Sequence, residues 1–272
     1  MDSAWSRDSN SALAACFGMW RYDVGRLRVY SGRREELPIK VLESESLLAL
    51  RFDDVGYFNR AIGSLEAIES RQRELIEFYG GGVLPFRFSL RPGEDGRDLL
   101  GDGFVKGEVE EYLVRKTCML EREMSEDWGF EPLDGGEAEA FFSMYLRLFS
   151  GGNCQREEGL RNMVHLAELE GLRCCWSLYK GERVGLGMWQ RQGNLACFCA
   201  GAILPAFRGQ GGHDELLRHR LDEARNGGCK FAVAVAKEGS DSAKNLRRAG
   251  FQLVWRDEAL YWPGAPEGGS GI

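Results

Sequence analysis

The stretch Pro205-Ala-Phe-Arg-Gly-Gln-Gly-Gly-His-Asp-Glu-Leu-Leu217 sets an arginine and three glycines directly ahead of an amphipathic run. Glycine costs conformational entropy on ordering, and it frees the backbone for close approaches that a side chain would block. The first turn of a helix leaves backbone N–H groups unpaired and carries the positive end of the helix dipole. Glycines ahead of such a turn let those amides close around phosphate oxygens. Arg208 adds charge-assisted hydrogen bonds to the same anion. Arg208, Gly209, Gln210, Gly211, Gly212 and His213 therefore read as a phosphate cradle, with Asp214 and Glu215 as helix-start residues. The Walker pattern is absent, because no Lys-Ser/Thr follows the glycines. The dinucleotide pattern GxGxxG is absent too, because Asp214 stands in its last place.

The elements that must hold this turn are legible around it. Leu195–Leu204 is strand-like and leads into it, and Gly212–Arg225 is a helix with a Leu217, Leu221, Ala224 stripe ended by Gly227-Gly228. Phe231–Ala236 (FAVAVA) is a continuous apolar run suited to a buried central strand. A helix over Ser242–Ala249 and one or two strands over Phe251–Trp262 follow. Upstream, Trp128–Leu133 reads as a strand. Residues 135–149 read as a helix with Phe141, Tyr145 and Leu148 on one face. A second helix, 156–170, carries a Leu160, Val164, Ala167 stripe. Cys174–Tyr179 and Val184–Gln190 are strands, with turns at Lys180–Arg183 and Gln192–Asn194. Meandering strands that give way to alternating strands and helices predict an α/β fold with a mixed sheet.

The first half repeats part of this plan. Gly103-Phe104 aligns with Gly250-Phe251 at an offset of 250 − 103 = 147, and at that offset Asp98 meets Asn245, Leu99 meets Leu246, Glu111 meets Glu258 and Leu113 meets Leu260. A helix over 64–79 ending in Gly80-Gly81-Gly82 parallels the one ending in Gly227-Gly228. Two related domains in tandem are predicted, 1–122 and 123–272, with the boundary in the polar stretch Glu121–Asp127.

The 272 residues are 43% hydrophobic and 28% charged, with a formal net charge of −7. That composition is globular, and its sign argues against a broad nucleic-acid footprint. No apolar run approaches the roughly 20 residues of a membrane span. The N-terminus MDSAWSRDSNSALAACFG has no basic region followed by a long apolar core, so no secretion signal is read. Eight cysteines are present with no CxxC pair. They read as reduced cytoplasmic thiols packed as small hydrophobes, without a metal site.

The segment Arg208-x-x-Gly211-x-His213, after Pro205, resembles the coenzyme A-binding motif of the GNAT N-acetyltransferase superfamily, Arg/Gln-x-x-Gly-x-Gly/Ala. Ser242-Ala-Lys-Asn-Leu-Arg-Arg-Ala-Gly-Phe251 is similar to that family's Ser-x-x-x-Tyr-x-x-x-Gly-Phe. The resemblance covers about 127–262. The first half looks like a second, degenerate copy, with Phe58–Gly63 in place of a motif arginine. The resemblance implies a GNAT-type mixed sheet, a cradle that holds the coenzyme A pyrophosphate, and a strand Ala202-Ile203-Leu204 that splays from its neighbour to pair with the pantetheine arm. It implies transfer of an acetyl group from acetyl-CoA to a primary amine by direct attack on the thioester, with no metal. Ser242 and Asn245 would reach the cofactor or simply cap and solvate their helix.

Two departures stand out. Leu246 occupies the position of the family's general-acid tyrosine, and His213 replaces the usual small residue. His213 would bond a phosphate as a cation or stand as an exposed residue. The base candidates are Glu238 after the buried strand, His165 on the second helix and Glu182 in a turn. Trp176, Tyr179, Trp189 and Phe198 are core or acceptor-pocket aromatics. A small-molecule amine is expected ahead of a protein acceptor, with no nucleic-acid or membrane partner. The rival readings are a non-catalytic acyl-CoA-binding protein and an aminoacyl-transferase using charged tRNA.

Overall fold

The computed structural model describes residues 9–53, 58–80, 84–96, 99, 103–118, 124–149 and 156–263. Gly81, Gly82, Asp98, Glu121, Cys154 and the 122/123 boundary lie outside the described residues. The chain forms two compact units that are discontinuous in sequence: residues 1–22 with 110–256, and residues 23–109 with 257–272. They differ from a division at 122/123, and strand pairing supplies the reason.

In the second unit, strands β1 (Ile39–Ser44), β2 (Leu47–Phe52) and β3 (Arg60–Gly63) meander antiparallel. Helices α2 (Leu65–Ser70) and α3 (Gln72–Phe78) then cross over to β4 (Phe86–Leu90), which runs parallel to β3. The core is aromatic: Tyr79 stacks on Phe86 with ring centroids 3.9 Å apart and donates its hydroxyl to the Leu50 carbonyl at 2.9 Å. The C-terminal half of helix α1 (Ser9–Gly32) adds Tyr30, edge-on to Phe52 and Phe58.

The first unit has the same plan at larger scale. Strands β6 (Trp128–Pro132), β7 (Leu172–Tyr179), β8 (Glu182–Gln192) and β9 (Leu195–Ile203) are antiparallel neighbours. Lys180 and Gly181, both at positive φ, make the two-residue turn that joins β7 to β8. Helix α6 (Gly212–Asn226) crosses over to β10 (Phe231–Lys237), parallel to β9. Helix α7 (Asp241–Arg248) follows, capped by the Ser240 hydroxyl. Ala196, Phe198, Ala232 and Ala234 pack against α6 and α7, and on the other face Leu195, Cys197 and Val233 meet Ala15 and Met19 of α1.

Strand β5 (Val105–Lys116) closes the first plan and β11 (Gln252–Trp262) the second, and their starts are again 252 − 105 = 147 residues apart. Phe251–Trp262 is thus one strand. β5 pairs antiparallel with β10, and β11 pairs with β4. Each closing strand hydrogen-bonds to the parallel strand of the other sequence half, so the contact-defined units cut across the repeat.

Two core stripes differ from their periodicity. Helix α4 (Ala138–Phe149) buries Phe141, Phe142 and Leu146, while Tyr145 stays half-exposed against Phe149. Helix α5 (Arg156–Met163) tightens into a 3₁₀ segment, Val164–Glu168. Its buried apolar residues are Met163, Leu166 and Leu169, spaced by three, and Ala167 is exposed. A 3₁₀ helix has three residues per turn, so a stripe spaced for 3.6 rotates out of the core.

Candidate active-site cleft

Strand β9 sets up the cleft by leaving its neighbour. Parallel pairing with β10 runs from Leu195 to Phe198 and stops, while β9 continues to Ile203. A register shift opposite Met188 and Trp189 makes Cys199 the extra residue of a β-bulge, which bends the strand at that point. The backbone beyond the bulge faces a cleft of about 710 Å³, lined by Gly201, Ala202 and Ile203, by the turn, and by the first residues of α6 and α7. That volume falls in the usual range for small-molecule sites.

The turn itself is built from backbone. Pro205–Phe207 forms one 3₁₀ turn, then Gly209 and Gly211 take φ of 79° and 80°. Such left-handed conformations strain any residue with a Cβ. Gly211 caps α6, and its carbonyl accepts from the amides of Asp214 and Glu215 at 3.0 and 3.1 Å. The amides of Gly209, Gln210, Gly211, Gly212 and His213 have no acceptor among the described residues. They are the unpaired donors that a helix start offers to an anion.

Gly212 is held differently. A Cβ there would lie 2.1 Å from the Trp128 ring, and Trp128 Nε1 donates to the Gln210 carbonyl at 3.1 Å. The indole thus packs under the turn and ties it to β6. The sequence reading missed Trp128, because a Gly–Trp contact across 84 residues leaves no local pattern.

The charges along the cleft do not cancel. Asp241 pairs with Lys244 at 3.0 Å, and Arg248 lies 3.9 Å from Asp214. Lys244, with Arg208 and Arg248 beyond it, keeps the Asp241 carboxyl below its ordinary range. Arg208 makes no ion pair among the described residues. It is exposed, and its Nε donates to the Ile203 carbonyl at 3.3 Å.

His213 lines the cleft, but not as a cation. Burial, with Arg220 and Arg248 nearby, lowers its pKa to about 4 against the opposing pull of Asp214, and Nδ1 is buried without a partner. The imidazole is neutral at pH 7, so the expectation of a cationic phosphate ligand is corrected. An unfolded chain takes up a proton near pH 6.5 that the folded chain refuses until about 4. Stability therefore falls as pH drops through that window. From pH 7 to 5, urea unfolding should show a loss about 2 kcal/mol larger in the parent than in His213→Asn.

The other expected residues divide. Ala202, Ile203, Arg208, Gly209, Gly211, Gly212, His213, Ser242 and Asn245 line the cleft, whereas Leu204 and Gln210 do not. Leu204 instead donates its amide to the Val184 carbonyl at 2.8 Å. The cap of α7 is Ser240 rather than Ser242, and Asn245 accepts from Arg248 at 2.5 Å. Glu238 is exposed, pairs with Arg256 at 2.9 Å, and does not line the cleft. His165 lies on the 3₁₀ segment, 3.3 Å from Glu168, also outside the lining. Glu182 is exposed at the start of β8. Leu246 is buried in the core with Phe198 and Phe251 and does not line the cleft. Trp176, Trp189 and Phe198 are buried, Tyr179 is half-buried, and none lines the cleft.

The corresponding place in the second unit is filled by the protein. Where β3 leads into α2, the Ser64 hydroxyl accepts from Ala67 at 3.2 Å, and Glu94 Oε2 accepts the Leu65 amide at 2.7 Å. A carboxylate on the helix start takes the donor that an anion would use.

No protein-family model and no curated protein matches the chain. Solved structures do. A GCN5-related N-acetyltransferase from Kribbella flavida is 14% identical, with a TM-score of 0.60 over 88% of this chain and 96% of its own. A GCN5-related N-acetyltransferase from Sphaerobacter thermophilus is 12% identical, with a TM-score of 0.57 over 82% and 84%. A tandem GNAT protein from the clavulanic acid biosynthesis pathway is 10% identical, with a TM-score of 0.53 over 96% and 98%.

Proposed function

The chain has the fold of the GCN5-related N-acetyltransferases, two related domains in tandem, and from that premise we propose that it is an acyl-CoA-dependent N-acyltransferase. Acetyl-CoA is the donor and a primary amine the acceptor, a small molecule ahead of a protein lysine or N-terminus. The observation that carries this reading is the row of unbonded amides, Gly209 to His213, beside an uncompensated Arg208. Those groups suit a pyrophosphate. The backbone of Ala202 and Ile203, released from β10, suits the amide-bearing pantetheine arm. Leu204, the residue after β9, gives its amide to Val184 instead. Ser242 and Asn245 bond the nucleotide end from the opposite wall. Acyl-CoA supplies a thioester carbonyl open to attack by the amine.

The proton chemistry falls to Glu238 ahead of His165. β10 carries Glu238 to the sheet end where the cradle lies, three residues before the cleft-lining Asp241. Glu238→Gln should lower kcat by roughly 10²-fold or more and leave coenzyme A affinity unchanged, whereas His165→Gln should change neither. Equal turnover in Glu238→Gln and the parent would remove Glu238 from the mechanism.

A second reading has its own support. Leu246 is buried, Glu238 is tied to Arg256, and the two carboxylates that line the cleft, Asp214 and Asp241, lie beside Arg248 and Lys244. Those features suit a protein that binds acyl-CoA without chemistry. Thiol release from acetyl-CoA across a panel of amines, measured beside calorimetric binding, separates the two. Binding without release on any amine favours the sensor, and tight tRNA binding with weak coenzyme A binding would defeat both.

Among the described residues, no helix is long and apolar enough to cross a membrane. The proposal places the enzyme in the cytoplasm, where its thiols would stay reduced.

A further inference from the structure

About two turns along α6 from the cradle, a cysteine, a histidine and a glutamate converge. Cys175 of β7 and His219 and Glu223 of α6 bring Sγ, a ring nitrogen and a carboxylate oxygen within 4.8 Å of one another. His219 and Glu223 stand one helical turn apart, the spacing at which two side chains reach a common point. We propose that Cys175, His219 and Glu223 form a binding site for a thiophilic divalent cation of the zinc type.

The ligand set fits that ion. Zinc takes thiolate, imidazole and carboxylate ligands at about 2.0–2.3 Å in a tetrahedron, so its ligand–ligand edges run roughly 3.3–3.8 Å. His219 Nε2 and Glu223 Oε2 are 3.4 Å apart, already one such edge. The widest separation closes by about 1 Å on binding. Cys175 is buried, while His219 and Glu223 retain 21% and 35% of their side-chain exposure, which leaves an open position for water.

Each ligand is also oriented by a second contact, as ligands in built sites are. The His219 ring stacks on Phe130 at 4.4 Å and 9°. Trp189 Nε1 donates to Glu223 Oε2 at 3.1 Å. Cys175 is fixed by its β7 position opposite Gly187 of β8. On binding, the Cys175 S–H bond breaks, the S–metal bond forms and H⁺ leaves to solvent.

One cation opposes the site. Arg220 is buried beside Cys175, with Nη1 on the carbonyls of Ala200 and Met188 at 2.6 and 3.4 Å and its guanidinium 4.5 Å from the Phe198 ring. The thiolate and the carboxylate together offset a dication, which leaves Arg220 the local excess. This proposal is independent of the acyl-CoA reading, because none of the three ligands lines the cleft.

Cobalt(II) titrated into the reduced full-length protein tests it. The expected result is one equivalent bound with a thiolate-to-cobalt charge-transfer band and tetrahedral ligand-field bands, displaced by zinc. Cys175→Ser should lose the charge-transfer band, and Glu223→Gln should keep it with affinity lowered more than tenfold. Glu223→Gln preserves the acceptor for Trp189, so it stands as the test if Cys175→Ser does not fold. No charge-transfer band at saturating cobalt, an equal band in folded Cys175→Ser, or unchanged affinity in Glu223→Gln overturns the proposal.

Discussion

Arg208→Glu is expected to weaken coenzyme A binding by two orders of magnitude or more while the melting temperature stays within about 1 °C of the parent. Arg208 is exposed and makes one hydrogen bond, to the Ile203 carbonyl. Its removal therefore leaves no cavity and no orphaned buried partner, and surface changes of this kind lie within about 0.5 kcal/mol. Binding responds differently. Hydrogen bonds to charged groups contribute about 1.5–3 kcal/mol, and the glutamate adds repulsion toward a pyrophosphate. Calorimetry with coenzyme A reads this directly. Affinity within threefold of the parent in the folded variant would sink the cradle assignment.

Gly212→Ala should damage both fold and site. The new Cβ would meet the Trp128 ring at 2.1 Å, and a rigid, 5% exposed indole has nowhere to retreat. Overpacking of this kind costs about 1–3 kcal/mol. Relief requires moving α6 or the indole, and the indole also holds the Gln210 carbonyl. The cradle amides would shift with it, so coenzyme A affinity should fall together with stability. Trp128→Leu makes room for the methyl group. The double variant should regain part of the stability lost in Gly212→Ala, a coupling of about 1 kcal/mol or more by double-mutant cycle. Strict additivity of the two changes would show that the contact does not constrain the turn.

The contrast between these two residues marks how far the sequence could be read. Arg208 was legible because its neighbours in the chain are its neighbours in the site. A cradle made of consecutive amides is a local object, and its glycines, its proline and the helix that follows are spelled out in order. The repeat was legible for a similar reason, since an offset of 147 carries from Gly103-Phe104 to Gly250-Phe251 and on to the starts of β5 and β11. Trp128 was not legible, because its role depends on which glycine it meets. Neither was the state of His213, whose pKa is set by burial and by Arg220 and Arg248 rather than by its place in the motif.

Periodicity failed where the backbone changed geometry. The stripe read as Leu160, Val164, Ala167 presumes 3.6 residues per turn, and the chain switches to a 3₁₀ segment at Val164. The contact-defined units differ from the sequence halves for a longer-range reason. β5 and β11 are each continuous with their own half in sequence, yet hydrogen-bond to strands of the other half. Strand partnership is decided by backbone groups that every residue carries, so side-chain pattern alone does not encode it.

The sequence by itself determined the local chemistry of this protein: a glycine turn with an arginine, set between a strand and a helix, on a mixed α/β plan written twice. The tertiary structure decided what surrounds that chemistry. It stops β9 pairing with β10 at Phe198 to open the cleft, seats Trp128 under Gly212, buries Leu246, and gathers Cys175, His219 and Glu223 from a strand and a helix. The physical reason is range. Turn geometry and helix dipoles act between residues close in the chain, whereas burial, strand partnership and charge pairing act between residues close in space.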